Sequence, residues 1–272
     1  MMGCPATPNA GRPTSSAADD REQAIVDELA QRLGAEADER TRDWWNRYLK
    51  GTIEFRGVPM AGVRKIARAL WHEHDMAEWT RDRRVDLVLT FLAQPYAEEK
   101  LAGILLLAER LLPELRDDDV PVLAKPFERG HIAEWSTCDW YCVKVLARLL
   151  GRVDDRRAAA EEIAAWRHAE NLWQRRAAAV SFVELAARGA REDPWLPDLV
   201  LEVCAANARD PARFSQTSVG WVLRELSKAE PERVASFVEQ HQDLLSREAR
   251  YMATDRLDPN VRRRFNPSGA RR

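Results

Sequence analysis

The segment FSQTSVGWVLRE, residues 214–225, contains the pattern that decides the fold. Apolar residues at Val219, Val222 and Leu223 follow the spacing of three and four that keeps them on one face of an α-helix. At about 100° per residue, Trp221 lies on the opposite side of that helix. A large indole away from the apolar face is expected to line a groove or an interface, or alternatively to pack beneath a neighbouring helix.

The rest of the chain repeats this helical pattern. Ala, Leu, Glu and Arg, which are strong helix formers, dominate it, and only 12 of its 272 residues are Gly. Helix pairs are predicted about every 35–45 residues, near the period of HEAT-like repeats. Only residues 52–58 (TIEFRGV) alternate like a strand, and one strand cannot form a sheet. The sequence predicts an all-α fold, a HEAT-like α-solenoid of antiparallel helix pairs, with a globular helical bundle as the alternative.

Composition predicts three segments and excludes several classes of protein. We expect a disordered tail over residues 1–18, rich in Pro, Ser, Ala and Thr, one HEAT-like repeat domain over 19–256, and a basic tail over 257–272. A formal charge of −2 excludes a uniformly basic coat. Four cysteines without metal-type spacing indicate a reduced, cytoplasmic protein, and we expect no metal and no cofactor. Since no apolar run approaches about 20 residues, no membrane partner is expected.

Two further segments contain residues that are unusual in a plain solenoid. EWSTCDWYC, residues 134–142, matches a capping box in which Asp139 would bond the Ser136 N–H. Alternatively, Asp139 stays ionised beside an apolar cleft, where an anion stabilises developing positive charge. In NLWQRRAAAVSF, residues 171–182, Arg176 lies over Ala and Val, so its guanidinium requires a carboxylate or a phosphate partner.

These candidates recur at the length of one helix pair. Asp139 precedes Arg176 by 37 residues, and Arg176 precedes Trp221 by 45. Each lies in the predicted second helix of its pair, and such helices line one concave surface in a solenoid. We therefore expect these three side chains and Trp135 to converge on a single cleft.

Together, these segments resemble the AlkD family of bacterial alkylpurine DNA glycosylases, over roughly residues 37–256. The likeness rests on Trp135-Ser-Thr-Cys-Asp139, Trp173-Gln-Arg-Arg176-Ala-Ala and Gly220-Trp221-Val-Leu-Arg224-Glu, with a weaker match at Arg47-Tyr48-Leu-Lys50 and Phe55-Arg-Gly57. The sequence departs from the family at the flanks of Trp135, where Glu134 and Ser136 stand, and at Thr217, where the family commonly has Lys. Weaker phosphate contact or an altered lesion preference is the expected consequence.

The resemblance implies a monofunctional DNA repair glycosylase that hydrolyses the N-glycosidic bond of cationic N3- or N7-alkylated purines during base excision repair. It implies that Trp135, Asp139 and Trp221 form the catalytic cleft. Its partner would be double-stranded DNA containing alkylated purines. The protein would act as a monomer in the bacterial cytosol, associated with the nucleoid while it acts.

DNA contacts are expected from a few side chains rather than from the net charge. The resemblance implies that Arg176 holds the lesion-bearing strand and that Tyr48 and Arg224 contact DNA. Arg175 and Arg250 are further candidates for a local basic strip, with solvated ion pairs as the alternative. Two rival functions remain open: a non-catalytic HEAT-repeat scaffold that binds a protein, and a DNA-binding paralogue without the chemistry.

Overall fold

The structure, a computed structural model, describes residues 15–266, with side chains from residue 20 onward. Within that range the chain is helical apart from turns, loops and an isolated parallel bridge between Glu54 and Tyr96. The all-α prediction is confirmed. Of the two predicted tails, residues 1–14 and 267–272 lie outside the described residues.

The α-helices of the described chain follow one another with short connections. In order they are α1 (Ser15–Ala35), α2 (Glu39–Leu49), α3 (Met60–Glu73), α4 (Arg81–Ala93), α5 (Ala97–Leu106), α6 (Val120–Glu128), α7 (Trp135–Tyr141), α8 (Ala147–Leu150), α9 (Arg156–Ala165), α10 (Leu172–Val180), α11 (Val183–Ala186), α12 (Leu196–Ala208), α13 (Arg213–Leu226), α14 (Pro231–His241), α15 (Arg247–Ala253) and α16 (Pro259–Phe265). A π-helical turn, Leu107–Leu111, continues α5, and another, Cys142–Leu146, joins α7 to α8.

Most of these helices form two parallel rows. In the first row, α3, α5, α7, α10, α13 and α15 each pack against the next. In the second row, α4, α6, α9, α12 and α14 do the same, and pairs such as α4 with α5 and α12 with α13 join the rows. Because each pair contacts mainly its neighbours, the fold is a HEAT-like α-solenoid rather than a bundle around one centre.

The first row is held together by the apolar faces that the sequence predicts. On α13, Val219, Val222, Leu223 and Leu226 are fully buried. They belong to one apolar core that runs through the stack from α1 to α16. Trp221 is only partly buried and packs at the edge of this core.

A separate apolar cluster attaches α2 to the stack. It consists of Leu49, Phe55 and Ala97, with Trp45 and Trp135 packed against it. Since Ala97 begins α5 and Trp135 begins α7, the cluster fastens α2 beside the starts of two helices of the first row.

The strand-like segment 52–58 is an extended return from α2, bound by a carboxylate rather than by a sheet. The buried Glu98 side chain accepts hydrogen bonds from the backbone N–H groups of Gly57 at 2.8 Å and Val58 at 3.0 Å. Gly57 has φ +100°, and a Cβ there would lie 2.1 Å from the Asp38 carbonyl oxygen. Only glycine fits this close approach.

Candidate active site

Glu134 caps the start of α7 and leaves the side chain of Asp139 free for another partner. Its carboxylate accepts hydrogen bonds from the backbone N–H groups of Ser136 and Thr137, each at 2.5 Å. The capping box predicted from Ser136 to Asp139 is wrong, because the helix starts at Trp135 and Glu134 is its N-cap residue. The side chain of Asp139 is therefore free to reach another helix.

Asp139 forms a two-point ion pair with Arg176 of the next helix in the row. Arg176 Nε donates to Asp139 Oδ1 at 2.7 Å, and Nη2 donates to Oδ2 at 2.8 Å. Of the two partners expected for this buried arginine, the structure provides the carboxylate. Such fork-shaped pairing fixes the plane of the carboxylate as well as its position.

The same guanidinium reaches a third helix. Its Nη1 donates to the Phe214 carbonyl oxygen at 2.8 Å and to Thr217 Oγ1 at 3.1 Å, both on α13. Arg176 is only 5% exposed, so it joins α7, α10 and α13 from within the protein. Its expected hold on a DNA strand stays a prediction, whereas its hold on Asp139 is visible in the structure.

Burial and pairing act against each other on the charge of Asp139. Burial raises the pKa of the Asp139 carboxyl above its usual value, and the hydrogen bonds and charge of Arg176 offset only part of this rise. For Arg176, burial acts to lower the pKa, but the bonds and charge of Asp139 raise it overall. The arginine therefore remains charged, beside a carboxylate that takes up a proton more readily than an exposed one.

Asp139 and four tryptophans line one cleft. Trp135, Asp139, Trp221, Tyr48 and Trp45 are among the walls of a cavity of about 410 Å³. The Asp139 side chain is 16% exposed, so this carboxylate is not sealed inside the protein. An ionised oxygen in a mostly apolar cleft interacts strongly with any positive charge that enters it.

A second cavity, of about 560 Å³, adjoins the first. Both are lined by Tyr48, Trp135 and Asp139, and Arg176 and Thr217 also line the second. The structure thus brings together the four residues Trp135, Asp139, Arg176 and Trp221, as their spacing predicts.

Aromatic rings continue from the cleft onto the surface of α2. Tyr48 meets Trp135 edge-on, with ring centroids 5.7 Å apart, and stacks on Trp44 at 5.2 Å. Trp44 and Tyr48 are 51% and 53% exposed. From base rates, Trp44 and Trp45 are expected in the core or packed between helices. Trp45 does pack against the cluster of Leu49, Phe55 and Ala97, whereas Trp44 is exposed. The spacing of four between Trp44 and Tyr48, which places them on one helix face, is the signal that identifies this stack.

The comparisons with known proteins agree with this fold. Over residues 29–257 the sequence matches the family model described as DNA alkylation repair enzyme. The chain belongs to this family. Among solved structures it is similar to a predicted DNA alkylation repair enzyme from Enterococcus faecalis, with a TM-score of 0.68 and 19% identity, over 82% of this chain and 98% of that one. At that identity the likeness shows a shared fold alone. No curated protein matches the sequence.

The other basic candidates for DNA contact lie outside both cavities. Arg175 donates to Asp210 Oδ2 at 2.7 Å. Arg224 pairs with Glu225 at 3.1 Å, and Arg250 donates to a backbone carbonyl. Of the four residues predicted to contact DNA, only Tyr48 lines the cleft. The roles of the three arginines stay predictions.

Neither a metal site nor a membrane span is found in the part of the chain that the structure describes. No cluster of three His, Cys, Asp or Glu side chains there is arranged to hold a metal ion. No helix there is both long and apolar enough to cross a bilayer. Cys138 and Cys142 are fully buried, as expected for small packing residues.

Proposed function

We propose that this member of the DNA alkylation repair family is a monofunctional glycosylase, which hydrolyses the N-glycosidic bond of cationic N3- or N7-alkylated purines in duplex DNA. One observation supports this above all: Trp135 and Asp139 of α7 and Trp221 of α13 line the same cleft. An anion in a cleft lined by indoles matches a substrate that is itself a cation.

The leaving group explains why a single carboxylate suffices. A purine alkylated at N3 or N7 carries a positive charge, so its glycosidic bond breaks without protonation by an acid. The enzyme has to stabilise an oxocarbenium-like sugar and deliver water, as in glycoside hydrolysis without the acid step. Asp139 supplies the negative charge and accepts a proton from the attacking water.

The indoles and the arginine support that carboxylate in different ways. Trp135 and Trp221 hold the cationic nucleotide through the electron-rich faces of their rings. Arg176 is a positioning residue, because its two hydrogen bonds to Asp139 orient the carboxylate and favour its ionised form. Tyr48, at the mouth of the cleft, contacts the DNA.

The protein acts on double-stranded DNA as a monomer, in base excision repair, in the bacterial cytosol and at the nucleoid. The alternatives are a non-catalytic HEAT-repeat scaffold and a DNA-binding paralogue. The scaffold binds neither methylated nor unmodified duplex, and the paralogue binds DNA but releases no base.

The proposal is tested by replacing the carboxylate. Methylated genomic DNA is incubated with wild type and with Asp139→Asn, and the released bases are identified by mass spectrometry. Release of 7-methylguanine or 3-methyladenine is expected from wild type and should fall by about a hundred- to a thousandfold in the variant, the size typical of losing a charge-stabilising group. Binding to unmodified duplex should persist.

Asp210→Asn is the matched control, because Asp210 pairs with Arg175 as Asp139 pairs with Arg176, but outside the cleft. It should release bases at the wild-type rate. If wild type and Asp139→Asn release bases equally, Asp139 takes no part in the reaction. If wild type releases no base, the protein is not a glycosylase.

A further inference from the structure

The two cavities contain lysines that no acidic side chain neutralises. Lys144 lines the cleft beside Trp221, and Lys50 lines the adjoining cavity. Within residues 20–266, neither ammonium group takes part in an ion pair or hydrogen bond. The Lys144 ammonium lies 5.7 Å from the centre of the Trp140 ring, which leaves its donors available.

The carboxylates of these cavities already have partners. Asp139 is paired with Arg176, and Glu248 receives Nε and Nη2 of Arg213 at 2.9 and 2.7 Å. Each of these pairs is neutral as a unit. The positive charge that remains on the walls therefore comes from the two lysines.

The lysines belong to two cavities that share a wall. Tyr48, Trp135 and Asp139 line both cavities, whereas Lys144 lines only the cleft and Lys50 only the adjoining cavity. A ligand that fits both cavities is an anion with one negative charge near each lysine and a reacting group between these charges. Consecutive phosphodiesters of a nucleic acid strand have this arrangement.

The backbone at both positions is irregular. Lys50 is the C-cap residue of α2 and has φ +54°, a left-handed conformation that costs a non-glycine residue about 1 kcal/mol or more. Lys144 lies in the π-helical turn Cys142–Leu146, a geometry that is frequent at functional sites. Within the described chain, neither ammonium group forms an ion pair or hydrogen bond that would offset the cost of these irregular backbone conformations.

We propose that Lys50 and Lys144 bind the two phosphates that flank the reacting nucleotide, one on its 5′ side and the other on its 3′ side. The identity of the central nucleotide rests on the proposed function, while the phosphate contacts require no chemistry. Thr217, with its hydroxyl bonded to Arg176, supplies no such charge.

The contacts are tested by salt dependence. Affinity for an undamaged duplex is measured between about 50 and 200 mM salt for wild type, Lys50→Gln, Lys144→Gln and the double variant. Removal of each phosphate-binding ammonium should reduce the slope of log affinity against log salt by about 0.9 and, at the lower salt, weaken binding by roughly tenfold. Lys65→Gln is the control: Lys65 is exposed, pairs with Glu36, lines neither cavity, and should leave the slope unchanged.

A second measurement assigns each lysine to its phosphate. A neutral methylphosphonate replaces the phosphate on one side or the other of a single 7-methylguanine in the duplex. Wild type should lose affinity with either replacement, whereas each Lys→Gln variant should be insensitive to one of the two. Variants that respond to both replacements as wild type does, or that keep the wild-type salt slope, would overturn the inference.

The test of the two lysines and the test of the proposed function can fail independently of each other. Reduced slopes in a protein that releases no base would count against the glycosylase alone. Normal base release with unchanged slopes would count against the lysines alone. Since neither ammonium group has an ion pair or hydrogen bond in the described part of the protein, thermal unfolding of Lys50→Gln should match wild type, and that of Lys144→Gln, which loses the contact with the Trp140 ring, should differ only slightly.

Discussion

Asp139 shows how a single side chain obtains its properties from several helices. Glu134 takes the backbone donors at the start of α7, and this leaves the Asp139 carboxylate for Arg176. Burial raises the pKa of Asp139, while the guanidinium opposes the rise. The ionised form is the one that the proposed reaction needs, so activity should disappear as the pH falls through this raised pKa.

The variant Arg176→Gln tests directly whether the guanidinium opposes the effect of burial on the pKa of Asp139. Removal of the cation and its bonds leaves burial unopposed, so the pKa of Asp139 should rise further. The acid limb of base release should therefore move to higher pH than in wild type. The pH profile of 7-methylguanine release measures the shift, at a temperature where thermal unfolding shows the variant to be folded.

Arg175→Gln serves as the control for that experiment. It breaks a comparable ion pair with Asp210, which does not line the cleft. Its acid limb should coincide with that of wild type. An unchanged limb in Arg176→Gln would show that the guanidinium does not set the charge of Asp139.

The position of α2 depends on a carboxylate as well as on the small apolar cluster of Leu49, Phe55 and Ala97. Glu98, at the start of α5, binds the backbone N–H groups of Arg56, Gly57 and Val58. This anchors the segment that follows α2, and the small cluster around Phe55 then places Tyr48 at the cleft.

Glu98→Ala should leave those three backbone donors without their acceptor. The Gly57 and Val58 donors are buried, and each unsatisfied buried donor costs about 1–3 kcal/mol, so the free energy of unfolding should fall by at least about 2 kcal/mol. Denaturant titration measures the loss, and DNA affinity should weaken because Tyr48 is displaced. Glu161→Ala, in an exposed pair with Arg157, should change stability by less than about 1 kcal/mol. Equal stability of the two variants would contradict this anchoring role.

Across the solenoid, the spacing between successive helices of the first row determines where the cleft side chains meet. Two of these helices approach closely at Gly220, beside Trp221. A Cβ there would lie 2.8 Å from the Ala249 carbonyl oxygen and 2.9 Å from Met252 Cβ, both on α15. The layers α13 and α15 can be this close only because residue 220 has no side chain.

Gly220→Ala should therefore destabilise the protein. In an open helix the same change stabilises by about 1 kcal/mol, but overpacking costs about 1–3 kcal/mol. We expect a net loss of about 1–2 kcal/mol and, because Trp221 shifts, slower base release. The midpoint of thermal unfolding measures the loss of stability.

Gly34→Ala is the matched control on α1. Its Cβ would meet only the end of the Arg56 side chain, at 3.8 Å. That variant should be as stable as wild type or slightly more so. A stabilised Gly220→Ala would mean that the stack adjusts its spacing freely.

The sequence alone determined the helical character of the chain, the apolar face of α13 and the recurrence of Asp139, Arg176 and Trp221 at one-pair intervals. These follow from local periodicity, because a side chain's direction on a helix depends only on its position in that helix. The same reasoning failed at the start of α7, where the sequence predicted a capping box from Ser136 to Asp139 and the N-cap residue is Glu134.

Only the tertiary structure decided which partner Arg176 takes, that Trp44 lies exposed on Tyr48, and that Lys50 and Lys144 line two cavities that share a wall. Asp139 and Arg176 are 37 residues apart, and their contact exists only because successive layers stack in one register. The charge left over in the cleft is likewise a property of the assembled walls, since each ion pair that neutralises a carboxylate joins two different helices.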